Sequence, residues 1–201
     1  MKLGILGGTF DPIHTGHLIL AHCAAEQLDL ERVFFVPAGD PWRKASRDVT
    51  PATHRLAMVR LAVEADKRFE IDDREVRRDG PTYTTDTLRE LKGELGAGTE
   101  FFFLVGEDSL TDMPYWHEPE AIFELARLAV APRMGTPVPA PPTSHDARHL
   151  HLPQFVRIDM PYIGISSTDL RARAQRGESL RYLAPDAVDR YIKNQGLYRQ
   201  A

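Results

Sequence analysis

The sequence predicts an α/β fold: a doubly wound parallel sheet covered by helices, with a small C-terminal helical subdomain at about 166–201. Short apolar runs alternate with segments of helical period in the order β-α-β-α. Several of those runs are apolar throughout, as strands buried on both faces are. The 201 residues, 42% hydrophobic and 27% charged, suffice for one well-buried domain. Neither an internal repeat nor an inter-domain linker is apparent, so residues 1–201 read as a single domain.

The strands are expected at 2–7 (KLGILG), 32–37 (RVFFVP), 69–72 (FEID), 101–106 (FFFLVG), 127–132 (RLAVAP) and 155–159 (FVRID), each bounded by turn residues. After the first strand, Leu18, Ala21, Ala25 and Leu28 recur at helical spacing. Thr50 followed by Pro51 reads as an N-cap with proline at the first helical position, leading into Leu56, Val59 and Val63. Ser166 to Asp169 has capping-box spacing ahead of Leu170. Pro185 opens a last helix containing Val188 and Ile192, and Gly196 stops it. Segments 37–51 and 132–147, the second proline-rich, read as irregular loops.

Bulk properties exclude several classes. A formal net charge of −4 provides no general attraction to nucleic acid or an anionic membrane. The single cysteine, Cys23, cannot form an intramolecular disulfide, which points to a reducing cytoplasmic setting. The amino terminus lacks the apolar core of a secretory signal, and no apolar stretch approaches the roughly 18 residues of a membrane helix. Neither nucleic acid nor membrane is expected as a partner; a homo-oligomer is left open.

Residues 7–17, GGTFDPIHTGH, concentrate the chemistry. The spacing of Gly4, Gly7 and Gly8 does not fit a dinucleotide fingerprint, and no Gly-Lys pair supplies a Walker loop. His14 and His17 lack the further ligands that a closed zinc site needs, so no metal ligand is assigned. The position nonetheless suits an anion. Gly7 and Gly8 end the first strand, where ligands of open parallel sheets bind, and the helix starting near Gly16 brings N–H donors and a positive dipole end. Both histidines can face one phosphate from that first turn, donating hydrogen bonds while neutral.

The string G-G-T-F-D-P-x-H-x-G-H closely resembles the opening signature of the bacterial nicotinate mononucleotide adenylyltransferases, members of the [HT]-x-G-H nucleotidyltransferase superfamily. ISSTDLR at 165–171 is similar to that family's I-S-S-T-x-[IL]-R segment, GPTYTTDTL (80–88) to its G-P-S/T-Y-T-x-D-T-L segment, and VGEDSL (105–110) to G-x-D-x-[LM], with Glu107 where Gly or Ala is usual. DPWRK (40–44) resembles the P-P-H-K loop or its P-W-x-K variant, with Arg43 in place of the histidine; RMG (133–135) stands where R-P-G is frequent, leaving Arg133 a phosphate candidate. YIKNQGLY resembles the usual ending, so the likeness runs from residue 4 to about 198.

The resemblance implies a Rossmann-like fold and an activity in NAD biosynthesis: adenylyl transfer from ATP to nicotinate mononucleotide, yielding nicotinate adenine dinucleotide and pyrophosphate. It implies catalytic roles for His14, His17, Lys44 and Arg171. Nucleotide binding falls to Gly7, Gly8, Thr9, Phe10, His17, Gly106, Asp108, Ile165, Ser166, Ser167 and Arg171. Substrate binding falls to Lys44, Tyr83, Thr84, Thr85 and Trp116, with Trp116 stacking on the pyridine and backbone N–H groups at Thr84 and Thr85 holding its carboxylate. Mg2+ is expected to arrive with ATP, because it binds substrate phosphates more readily than protein cages. The alternatives are an adenylyltransferase acting on nicotinamide mononucleotide or phosphopantetheine, and a non-catalytic nucleotide-binding module.

Overall fold

A computed structural model describes residues 1–41, 49–132 and 154–199. Its elements are β1 (Lys2–Gly8), α1 (Thr15–Gln27), β2 (Arg32–Pro37), α2 (Ala52–Val63), β3 (Phe69–Ile71), α3 (Arg74–Arg77), α4 (Thr84–Leu95), β4 (Glu100–Gly106), α5 (Glu107–Asp112), α6 (Pro119–Leu125), β5 (Arg127–Ala131), β6 (Val156–Arg157), α7 (Ser167–Gln175) and α8 (Asp186–Gln195). A 3-10 turn at Met113–Tyr115 follows α5.

The strands form one sheet in the order β3-β2-β1-β4-β5-β6. β1 pairs in parallel with β4 (Leu3 opposite Phe101, Ile5 opposite Phe103), β4 with β5, and β5 with β6. Strands β1 and β4 are buried through their middles, at Leu3–Leu6 and Phe101–Val105, which explains the unbroken apolar sequence of those stretches. The edge strands β3 and β6 are short and only partly covered. Chain order reverses between β1 and β4, so the topological switch point lies where β1 ends at Gly7-Gly8 and β4 at Gly106. Gly4 serves packing: a Cβ there would come within 2.9 Å of Leu30 and 3.1 Å of Val33.

The chain groups into two compact units interleaved in sequence. One comprises Met1–Gly7, Leu20–Val33 and Tyr83–Gly164, with a core that includes Phe101, Phe103, Leu88, Met113 and Ile122. The other comprises Gly8–Ile19, Phe34–Thr82 and Ile165–Ala201, with Phe10, Ile13, Phe35, Met58, Leu170 and Val188 buried. Helices α7 and α8 thus belong with the residues of the opening motif.

Several local expectations shift. The buried face of α1 is Leu20, Ala21, Ala24 and Ala25, whereas Leu18 and Leu28 are half-buried. Thr50 is not the N-cap of α2: Pro51 occupies that position and accepts from the His54 and Arg55 N–H groups. Strand β6 spans two residues instead of five, since Val156 and Arg157 alone continue the ladder. Helix α7 does begin as its sequence predicts: Ser166 is the N-cap, its Oγ accepting from the Asp169 N–H at 3.1 Å and donating to the Asp169 carboxylate at 2.6 Å. Pro185 and Gly196 bracket α8, Gly196 in the left-handed conformation that glycine adopts without a Cβ penalty. Most of the proline-rich segment 132–147 lies outside the described residues.

Candidate active site

Strand β1 delivers the chain to a tight loop, Thr9 to His14, before α1 begins. Gly8 leaves room for its neighbour there, since a Cβ would come within 3.1 Å of the Phe10 ring, a tight contact. Phe10 adopts φ 48°, the left-handed region, and only 2% of it is exposed. Its ring packs 6.0 Å from that of Phe35 and lies edge-on to His17 at 5.1 Å. The Asp11–Pro12 peptide is cis, and Ile13 is fully buried behind it.

The two histidines meet as their spacing predicts. Their rings stack with centroids 3.7 Å apart and planes 27° from parallel. The His14 backbone N–H donates to His17 Nδ1 at 3.2 Å, and the His17 N–H donates to the His14 carbonyl at 3.0 Å. A backbone N–H can only donate, so Nδ1 of His17 is the acceptor and the neutral ring carries its proton on Nε2. The start of α1 offers an anion fewer donors than the sequence predicts. The Thr15 N–H bonds the Leu183 carbonyl at 2.9 Å, and the Thr15 hydroxyl donates to the Tyr182 carbonyl.

ISSTDLR is bonded directly to this loop. The Ser167 hydroxyl donates to the Pro12 carbonyl at 2.9 Å. Arg171 donates to the Asp11 carbonyl at 2.7 Å and to the Thr168 hydroxyl at 3.3 Å. Ile165 and Ser166 are half-buried just ahead of α7.

Three groups that sequence reasoning left out hold the same loop. The Asp11 side chain, 5% exposed, accepts from the Tyr198 hydroxyl at 2.7 Å and the Thr50 N–H at 3.3 Å. Burial, reinforced by the Asp11 charge, pushes the Tyr198 phenol well above its ordinary pKa, so it stays a donor. Arg55, 1% exposed, donates at 2.8 Å to each of the Thr9, Gly39 and Thr50 carbonyls. Burial draws its pKa below the usual value while Asp11, Tyr198 and Glu75 oppose the shift. The available signal was a basic residue on the same helical face as Met58, Val59 and Ala62.

In the other unit, α4 opens at Thr84 with Tyr83 in the N-cap position. Thr85 is fully buried, backbone included, and its hydroxyl donates to the His117 carbonyl at 2.8 Å, whereas Thr84 before it is half-buried. Tyr83 stacks on His117 with centroids 4.2 Å apart. Trp116, half-buried, stands edge-on to Phe103 at 6.0 Å. A Cβ on Gly106 would lie 2.6 Å from Oδ1 of Asp108, so this glycine makes room for the exposed carboxylate at the head of α5. Glu107, the departure from the family pattern, is buried and paired with Arg157 at 2.9 Å. Lys44, Arg43 and Arg133 lie outside the described residues. Among the described residues, no cluster of three or more His, Cys, Asp or Glu could hold a metal ion, and no helix is long and apolar enough to cross a membrane.

The same architecture recurs among solved structures. Plasmodium falciparum nicotinic acid mononucleotide adenylyltransferase complexed with NaAD superposes with a TM-score of 0.77 over 98% of this chain and 97% of that one, at 20% identity, a likeness of fold. A family model described as cytidylyltransferase-like matches residues 5–173. A curated relative named probable nicotinate-nucleotide adenylyltransferase, from Dehalococcoides mccartyi, is 42% identical over 100% of this chain and 98% of its own length. Another of that name, from Thermomicrobium roseum, is 46% identical over 98% of this chain and 92% of its own. With kinship of that closeness along its whole length, the chain belongs to the nicotinate-nucleotide adenylyltransferases, within the cytidylyltransferase-like family.

Proposed function

We propose that the protein transfers the adenylyl group of ATP to nicotinate mononucleotide, releasing pyrophosphate. The observation that carries this reading is the stacked His14–His17 pair, with the proton of His17 held on Nε2 by the His14 N–H. A phosphate oxygen of the mononucleotide attacks the α-phosphorus of ATP in line, and the bond from that phosphorus to the bridging oxygen of pyrophosphate breaks. The attacking oxygen is already anionic at neutral pH, so no general base is required. Catalysis consists of positioning and of neutralising charge as it spreads over the phosphoryl oxygens.

In this reading His14 and His17 donate to the oxygens of the reacting phosphoryl group. Gly7, Gly8, Thr9 and Phe10 supply close backbone approach beside them. Ser166, Ser167 and Arg171, with Ile165 beside them, serve the triphosphate, and Lys44 guides the departing pyrophosphate. Mg2+ enters with the nucleotide, with no ligand assigned on the protein. Gly106 and Asp108 receive the ribose hydroxyls, a carboxylate being an apt acceptor for a diol. For the acceptor, Trp116 stacks on the pyridine, Tyr83 lines its side, and the first N–H groups of α4 at Thr84 and Thr85 meet the carboxylate at the positive end of the helix dipole.

Pyrophosphate release is measured with ATP and, in parallel, nicotinate mononucleotide, nicotinamide mononucleotide and phosphopantetheine. Release with the nicotinate compound at the highest kcat/KM is expected. Preference for either other acceptor would reassign the substrate, and no release with any would leave a nucleotide-binding module.

A further inference from the structure

Arg55 is a costly group to bury. A guanidinium in a helix face otherwise made of Met58, Val59, Ala62 and Val63 is tolerated only where acceptors meet its N–H groups. Its hydrogen bonds explain where it is directed. The planar fork meets carbonyls from three separate stretches: Thr9 in the loop after β1, Gly39 after β2, and Thr50 before α2, each at 2.8 Å. All three belong to the same compact unit as His14 and His17.

The Thr9 contact reaches furthest. A trans peptide is planar, with its C=O and the following N–H pointing in opposite directions. A Thr9 carbonyl drawn to the buried guanidinium therefore turns the Phe10 N–H away from it. The same peptide leads into Phe10 at φ 48°, a conformation that an unanchored phenylalanine would leave, and the Phe10 ring stands edge-on to His17 at 5.1 Å. We propose that Arg55 is a positioning residue for adenylyl transfer, fixing the Thr9–Phe10 peptide so that Phe10 presents its N–H and holds His17 in the orientation in which Nδ1 accepts from His14. This role rests on the proposed reaction; the relay from Arg55 to His17 does not.

Two variants test the relay. Arg55→Lys keeps a cation but replaces the fork with a point charge that cannot meet three divergent carbonyls. Phe10→Leu leaves the three guanidinium bonds and removes the ring that leans on His17. The first measurement uses ligand-free protein: long-range 1H–15N correlation of the imidazoles. The wild type should show His17 as a single Nε2–H tautomer, and both variants should show it averaged with the other tautomer. The second is steady-state kinetics: kcat is expected to fall by roughly 10- to 100-fold in each folded variant, with KM for nicotinate mononucleotide within about 3-fold of wild type. A merely structural Arg55 would lower Tm while leaving the His17 signature and the kcat per folded molecule unchanged, and that result overturns the proposal. Should Arg55→Lys not fold, a wild-type His17 spectrum and kcat in Phe10→Leu overturn it equally. Failure of the wild type to release pyrophosphate with nicotinate mononucleotide would instead remove the proposed reaction, while the His17 spectra still decide the relay.

Discussion

The proton on His17 is placed by the backbone of its own neighbour. With Nδ1 accepting the His14 N–H at 3.2 Å, the neutral ring is a donor at Nε2, so it can bond a phosphoryl oxygen without first being protonated. This separates its chemistry from that of a metal ligand or a general base. Removing the ring removes a preorganised donor together with its contacts to His14 and Phe10, while the loop stays held by Arg55, Ser167, Arg171 and Tyr198. His17→Ala is therefore expected to lower kcat by roughly 100-fold or more while the circular dichroism spectrum stays that of the wild type. Near-normal turnover in the variant would sink the assignment of His17 to the transition state.

At the scale of elements, the start of α7 combines a local stability device with its place beside the opening loop. The Ser166 hydroxyl both accepts the Asp169 N–H and donates to the Asp169 carboxylate, while Ser167, one residue on, is bonded to Pro12. Ser166→Ala removes the cap and should cost about 1 kcal/mol, a fall in Tm of roughly 2–4 °C in a chain of this length, read by thermal unfolding. An unchanged Tm would show that the hydroxyl does not cap the helix in solution. This element was legible in sequence because a cap and its partner lie three residues apart, and α8 because Pro185 and Gly196 mark its two ends. The Thr50 cap misled because the Thr50 N–H bonds the Asp11 carboxylate, 39 positions away, and its carbonyl is taken by the Arg55 guanidinium. The start of α1 also looked like a better anion site than it is, since the carbonyl that occupies the Thr15 N–H comes from residue 183. The histidine pair needed no such distant knowledge: three positions apart across the start of α1, they fall close enough for their rings to stack.

At the scale of the whole molecule, the groups that hold the opening loop come from positions 55 and 198 as well as from 166–171, and no local pattern in the sequence links them. Tyr198 shows what the longest of these links does. Its hydroxyl closes a contact with Asp11 across 187 positions, tying the end of the chain to the loop. Tyr198→Phe leaves a buried carboxylate oxygen short of a donor, and should cost about 1–3 kcal/mol at neutral pH. The alkaline limb then distinguishes this bond from simple packing. Burial and the Asp11 charge raise the phenol's pKa in the folded protein above its ordinary value of 10.0. Above about pH 10 the unfolded chain therefore gives up this proton while the native state keeps it. The native state then binds more protons, so stability falls as pH rises, at up to about 1.4 kcal/mol per pH unit for this one group. Phenylalanine has no proton to lose, so Tyr198→Phe should escape that part of the decline. Urea unfolding of both proteins between pH 7 and 11 should show a stability gap that is constant to about pH 9.5 and narrows beyond it; a gap that stays constant to pH 11 would mean that the phenol ionises as readily in the folded protein as in the unfolded chain.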